Sequence, residues 1–406
     1  MQAISLNPPG VTEVRRGGAQ SEPAPTLPPV LRLGFRPFYL LAALFAAIAI
    51  PGWVASLLGH TVPGSQIGLP WHMHEMVFGF APAVIIGFLY TAARNWTGLP
   101  TPRGSHLAAL AGIWLAGRFA MLVAPAGIAA AADLAFLPLA AWPIWRVLQR
   151  AGNRRNYFLV GLLGMLTLAN LTFHASRLGW VATDMMHSVQ SAILLLVLIE
   201  STIAGRVLPG FTANAVPGCH PVVHERRDRM SMAIIALTAF GWAIGLPGPA
   251  EAGLAMAAGL TVMVRAAGYL PHRTLRNPLL WILHLSYLWI AVGLVLLALS
   301  CIGVASHSAA FHALGVGATG GLIIGMITRT ALGHTARPLR AGVAETAMYL
   351  LLHAGALLRV LASLLDSASY QPLVMAAAAC WSSAFVLYVL AYAGRLTSAR
   401  LDRKDG

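Results

Sequence analysis

Charge is scarce in this chain. Asp, Glu, Lys and Arg make up 10% of its 406 residues, against about 25% in a soluble domain. With 58% apolar residues and a mean hydropathy of +0.72, it cannot cover itself with a polar surface, and its solvent must be the bilayer. Cysteine is nearly absent. Cys219, Cys301 and Cys380 show no CxxC spacing and are expected in a loop, at a helix end and within a helix, which argues against a disulfide framework or an all-thiolate zinc site. Any metal would then be held by histidine. No P-loop, GxSxG, GxGxxG or HExxH motif stands in a usable context, and the absence of CxxCH excludes covalent c-type haem. Acidic residues are few: 13 against 27 basic ones, a net charge of +14. In a soluble protein that balance would suggest nucleic acid. Here the arginines are spaced along the segments between apolar runs, so no nucleic-acid partner is expected. Residues 1–30 are polar and rich in Pro, Gly, Ser and Glu, with no apolar core. They read as a disordered cytoplasmic tail rather than a signal peptide.

Twelve apolar segments of helical length follow, at about 37–58, 71–93, 105–123, 128–148, 157–178, 183–205, 230–246, 249–268, 279–300, 308–328, 343–364 and 370–394. Each approaches the ~20 residues that a helix needs to span the hydrocarbon core. Connections with and without arginine alternate along the chain. Arg94 and Arg103 follow the second segment, Arg146 to Arg155 the fourth, Arg226 to Arg229 the sixth and Arg337 and Arg340 the tenth, with Arg177 as one minor exception. The positive-inside rule then places both termini in the cytoplasm. The expected fold is all-α: a polytopic membrane bundle of about twelve transmembrane helices over 31–396, with a cytoplasmic tail at 397–406.

This topology gives each histidine a depth. His72, His74, His174, His187 and His312 fall in the outer half, whereas His284 and His353 lie deeper. Three even-numbered helices run from an outer histidine to an inner arginine: His74 to Arg94, His187 to Arg206 and His312 to Arg329. That plan fits an internal repeat and fits the charge rule alone equally well.

The densest chemistry is Trp71-His72-Met73-His74-Glu75, at the start of the second apolar run. Ionisable groups in a membrane span are costly and usually functional, and imidazole is a common ligand of metals and haem iron. Two residues apart, His72 and His74 point about 200° away from each other on a helix, so they cannot share one metal from a regular helix. His74 is deeper and heads the stripe Phe78, Ala81 and Ile85, which favours it as the inward ligand. His72 then leaves the helix or serves a second centre. The bland alternative is an interfacial pair bonded to loops and headgroups. Glu75 can orient an imidazole or relay protons, or simply suit the helix dipole.

His312 precedes Gly315, Gly317, Ala318, Gly320, Gly321 and Gly325. Such small residues admit either a neighbouring helix or a flat macrocycle. His284 needs a buried partner, and His174 and His187 flank one outer turn. Glu200 lies deep in the sixth helix, either paired with an arginine such as Arg206 or on a proton path. Asp133 reads as interfacial. Cys219, His220 and His224 sit in a charged loop that reads as solvated.

Several stretches together resemble the NnrS family of bacterial membrane proteins. They are Leu33-Gly34-Phe35-Arg36-Pro37-Phe38, Trp71 to Met76 with Phe78-Gly79-Phe80, Asn95-Trp96-Thr97-Gly98, Gly205-Arg206-Val207-Leu208-Pro209 and Phe211-Thr212-Ala213-Asn214. His284 with Tyr287 and Trp289, His312, Thr328-Arg329 and Leu332 to Leu339 complete the set. The resemblance covers roughly residues 31–395. Its departures are small: Leu208-Pro209-Gly210-Phe211 replaces a more aromatic pattern, and Ala336 stands where Gly is usual.

The resemblance implies a twelve-helix, multi-pass protein of the bacterial inner membrane that contains non-covalent haem and copper. It further implies a role in nitric oxide metabolism, in denitrification or in resistance to nitrosative stress. The expected haem-binding residues are His74, His284 and His312. His72, His187 and His174 are the metal candidates, Glu75 and Glu200 the proton-relay candidates, and His334, Arg206 and Arg329 further motif positions. Binding and turnover of nitric oxide both stay open, and turnover would make the protein an oxidoreductase. The alternatives are a quinol-linked reductase of nitric oxide resembling haem-copper oxidases, and a small-molecule transporter.

Overall fold

The computed structural model describes residues 27–60, 62–402 and 404; most of the expected N-terminal tail lies outside them. Within residues 27–30, Pro29 already begins a short 3-10 turn, Pro29–Leu31. Twelve long helices follow: α1 Phe35–Leu57, α2 Leu69–Thr97, α3 Gly104–Val123, α4 Ala126–Arg150, α5 Tyr157–Arg177 and α6 Met185–Ala215. The second half comprises α7 Glu225–Ala243, α8 Gly248–Gly268, α9 Pro278–Cys301, α10 His307–His334, α11 Val343–Ala362 and α12 Ser367–Thr397. No strand occurs among the described residues.

Eleven of the twelve are long and apolar enough to cross a membrane. The exception is α7, expected to be an apolar span. Its first five residues are Glu225, Arg226, Arg227, Asp228 and Arg229, which leaves its apolar remainder short of the ~20 residues a span requires. Large apolar side chains such as Ile48, Phe119, Trp142 and Leu390 are exposed on the outside of the bundle, as lipid contact requires.

Short connections join helices that pack against their sequence neighbours, so the chain reverses at each step, and α1 against α12 closes the bundle. The arginine-bearing connections therefore gather at one end. Two helices form the centre: α2 is 83% buried and α10 is 78% buried over their most apolar windows, whereas the other nine apolar spans range from 28% to 61%.

Both central helices contain a π-helical segment just after a histidine. In α2, Leu69–His74 is α-helical and Glu75–Phe80 is π. In α10, His307–His312 is α-helical and Ala313–Gly320 is π. In α2 the cause is Pro82, which has no N–H to give and would clash with the carbonyl four residues back; the widened turn relieves both problems. In α10 the small residues Gly315, Gly317 and Gly320 permit the same widening. Such segments recur at functional sites, because they re-aim the side chains around them.

Candidate functional site

The π segment of α2 turns His72 and His74 into two different surroundings. His74 is fully buried against α3, α4 and α5. Its Nδ1 lies 3.0 Å from Glu75 Oε1, and its Nε2 lies 3.1 Å from Asp133 Oδ2 and 3.0 Å from Asn170 Oδ1. His174 Nε2 reaches the same Asp133 oxygen at 3.0 Å, and Asn170 Nδ2 donates to it at 2.7 Å. Arg118 closes the cluster, donating to Glu75 Oε2 at 2.8 Å and to Asp133 Oδ1. Trp114 Nε1 donates to the Gly79 carbonyl at 2.9 Å and holds α3 to α2 beside this network.

The partners of His74 are all acceptors, so the ring holds this arrangement with both nitrogens protonated. Glu75, Asp133 and Arg118 sum to one negative charge, which that imidazolium neutralises. The cluster can also hold a metal. One donor atom each from His74, Asp133 and His174 lie within 4.8 Å of one another. Glu75 behind Nδ1 then plays the role that a carboxylate behind a metal-bound imidazole commonly plays, fixing the ring's tautomer and angle. Two imidazole nitrogens and a carboxylate oxygen suit zinc or copper.

His72 faces the other way, into a cavity of about 380 Å³ between α1, α2, α6, α10, α11 and α12. Its ring stacks on Trp53, with centroids 5.0 Å apart and planes 8° from parallel, and its Nδ1 is buried without a partner among the described residues. His312 shares the cavity. Its Nδ1 lies 2.7 Å from the Ser308 carbonyl, which accepts only from a protonated Nδ1; Nε2 keeps its lone pair. Met73, Met76 and Met186 add soft, polarisable surface, and Arg359 is the one basic side chain besides histidine in the lining.

The histidine pairs are therefore exchanged relative to expectation. His74, expected as the inward ligand beside His312, instead joins His174. His72 joins His312. His284, expected as a third haem ligand, is outside the cavity; its Nε2 is 2.8 Å from Thr212 Oγ1. His187, expected with the metal set, stacks over Trp242 and donates from Nε2 to the Ala243 carbonyl at 3.2 Å. His353 accepts from Trp289 Nε1 at 3.2 Å. Asp133 is not interfacial but 3% exposed at the centre of the cluster. Glu200 has no arginine partner among the described residues: Arg206 donates to Asn156 Oδ1 at 2.6 Å instead.

The family description that matches this sequence is "NnrS protein", over residues 29–400. The chain belongs to the NnrS family. A search of curated proteins finds no match.

Several of the stretches quoted for the NnrS resemblance hold the arginine-rich end together. Arg36 is fully buried and donates to the carbonyls of Leu396 at 2.9 Å and Ser398 at 2.7 Å, tying α1 to the end of α12. Gly34 lies where a Cβ would meet Tyr90 Cδ2 at 2.6 Å. Arg329 sits over the Phe211 ring, 4.0 Å from its centroid. His334 packs its ring 5.6 Å from Phe35, and its carbonyl accepts from Arg400 at 3.1 Å. Ala336, where the NnrS pattern usually has glycine, has φ +59°, a conformation that favours glycine.

Proposed function

We propose that this NnrS-family protein is a haem protein of the bacterial cytoplasmic membrane that binds nitric oxide. Haem would be held in the His72–His312 cavity, and a second metal, copper by the resemblance, at His74, Asp133 and His174. The observation that carries this reading is the His312 ring. Its Nδ1–H is anchored to the Ser308 carbonyl, and its Nε2 is left free on a cavity of about 380 Å³ shared with His72. That is the tautomer in which His312 would hold haem iron through Nε2.

The cavity suits the group in other respects. Its volume is within the ~300–1,000 Å³ of ordinary ligand pockets, and its walls are mostly apolar. Arg359 offers a cation for the porphyrin carboxylates. The partnerless Nδ1 of His72 marks a polar atom that a bound group or water can satisfy. When bound, haem iron supplies a coordination position for nitric oxide. The protein's own residues hold it, exclude bulk water and set the charge nearby. Nitric oxide, small and apolar, reaches such a site through the lipid without needing charged residues. Anaerobic addition of nitric oxide to the reduced, purified protein should change its visible spectrum in proportion to haem content. An unchanged spectrum would count against the proposal.

A further inference from the structure

Glu200 is a buried acid that this reading leaves without a role. It stands fifteen residues from either end of Met185–Ala215, at the middle of the span. Its Oε2 is buried with no hydrogen-bond partner among the described residues, and so is Oγ1 of Thr319. An unpaired carboxylate at that depth is costly, so the side chain rests as the neutral acid, which carries a transferable proton.

Both residues line a second cavity of about 70 Å³, with Tyr39, Phe88, Leu208 and Met326 among its walls. That is room for more than one water, since a water occupies about 10–15 Å³ on this measure. The two cavities meet at Thr319, which lines the His72–His312 cavity as well. Thr319 belongs to the π segment of α10, seven residues beyond His312 toward the arginine-rich end. Tyr39 is the other titratable group in the smaller pocket, and its hydroxyl accepts from Thr330 Oγ1 at 3.3 Å. The walls from α2 and α10 contain no titratable side chain. The next residue on α6, Ser201, is held on a different network, its carbonyl accepting from Arg265, which also bonds Tyr287 and Asp228.

We propose that Glu200 and Thr319 pass protons from the arginine-rich side of the membrane into the His72–His312 cavity; the proposal rests on the haem reading above. The O–H bond of Glu200 breaks as its proton goes to Thr319 Oγ1, and the Thr319 hydroxyl proton goes on to water in the upper cavity. The resulting carboxylate regains a proton that water entering the smaller pocket carries in from the arginine-rich side, so Glu200 ends as it began and one proton has moved inward. No electron moves in this step. It balances the charge of an electron delivered to the upper cavity by a quinol-class donor, which the membrane supplies.

The test is the rate of haem reduction by a quinol in the purified protein, in ordinary and heavy water, in wild type, Glu200→Gln and Thr319→Val. Wild-type reduction should be slower in heavy water, and both variants should reduce about tenfold more slowly while reaching the same final reduced fraction. Glu200→Asp should keep part of the rate. In the wild type alone, time-resolved infrared should show a carboxylic C=O band that bleaches and recovers during reduction and shifts in heavy water. Haem retained in the variants with the wild-type reduction rate, or no carboxylic band change in the wild type, overturns the proton route alone. A wild-type protein without haem overturns the haem reading first.

Discussion

Arg118 Nη1 donates to Glu75 Oε2 at 2.8 Å, and neither side chain meets solvent, at 6% and 0% exposure. The same guanidinium also bonds Asp133, so one cation serves two buried carboxylates. Removing it strands both in a medium that cannot hydrate them. Breaking a buried pair costs about 3–5 kcal/mol. Arg118→Met should therefore unfold at clearly lower temperature in detergent than wild type. Adding Glu75→Gln and Asp133→Asn to Arg118→Met should recover much of the loss, as shown by thermal unfolding of the purified proteins.

Metal content separates the two sites. His174→Ala or Asp133→Asn should remove one metal ion per chain, read by elemental analysis, and leave haem content unchanged. Binding at this cluster must displace the proton on His74 Nε2, so lowering pH should weaken it, by about tenfold per unit where one proton is released. Pre-treatment with a chelator at low pH should strip the metal most readily, and metal that is equally tight at all pH values would contradict the ligand set.

Helix α10 leaves no room for even a methyl group at Gly317, Gly320, Gly321 and Gly325, and at the first two the obstacle is a flat ring. A Cβ on Gly317 would lie 2.5 Å from Trp289 Cδ2, and one on Gly320 would lie 2.6 Å from Trp381 Cζ3. The flat rings cannot bend away, so Gly317→Ala and Gly320→Ala should each cost about 1–3 kcal/mol. Gly112→Ala, which meets open space within a helix, serves as the control and should be slightly stabilising. Denaturation of the three variants in one detergent would rank them.

Ala336 holds a left-handed conformation at φ +59°. A non-glycine residue there costs roughly 1–2 kcal/mol, partly offset in glycine by its greater freedom when unfolded. Ala336→Gly should raise the unfolding temperature slightly with no effect on metal or haem content. A lower unfolding temperature would show that the loop has another source of stability.

The bundle was legible in the sequence because apolar run length and loop arginines are both local signals. So was the divergence of His72 and His74, which follows from helical geometry. Which of them faces which site was not legible. The surrounding helix is buried on nearly every side, so no apolar stripe ranks its faces, and the π segment after His74 changes the register. Asp133 looked interfacial because it lies near a helix end. Its burial depends on Arg118 and Asn170, from neighbouring helices, and a charge tally of the loops passes over Arg118 because it stands inside a helix. Arg359 stands inside a helix in the same way, and it lines the cavity. In the sequence, the two central helices share only a histidine-to-arginine spacing. The structure gives α2 and α10 a second common feature, a π segment after the histidine, which α6 lacks.

Haem content in two single variants tests the assignment of the cavity most directly. Purified His312→Ala should lose most of the haem absorbance per chain, whereas His74→Ala, if it folds, should keep it. Equal retention in both, or loss in His74→Ala with retention in His312→Ala, would contradict the placement of haem between His72 and His312.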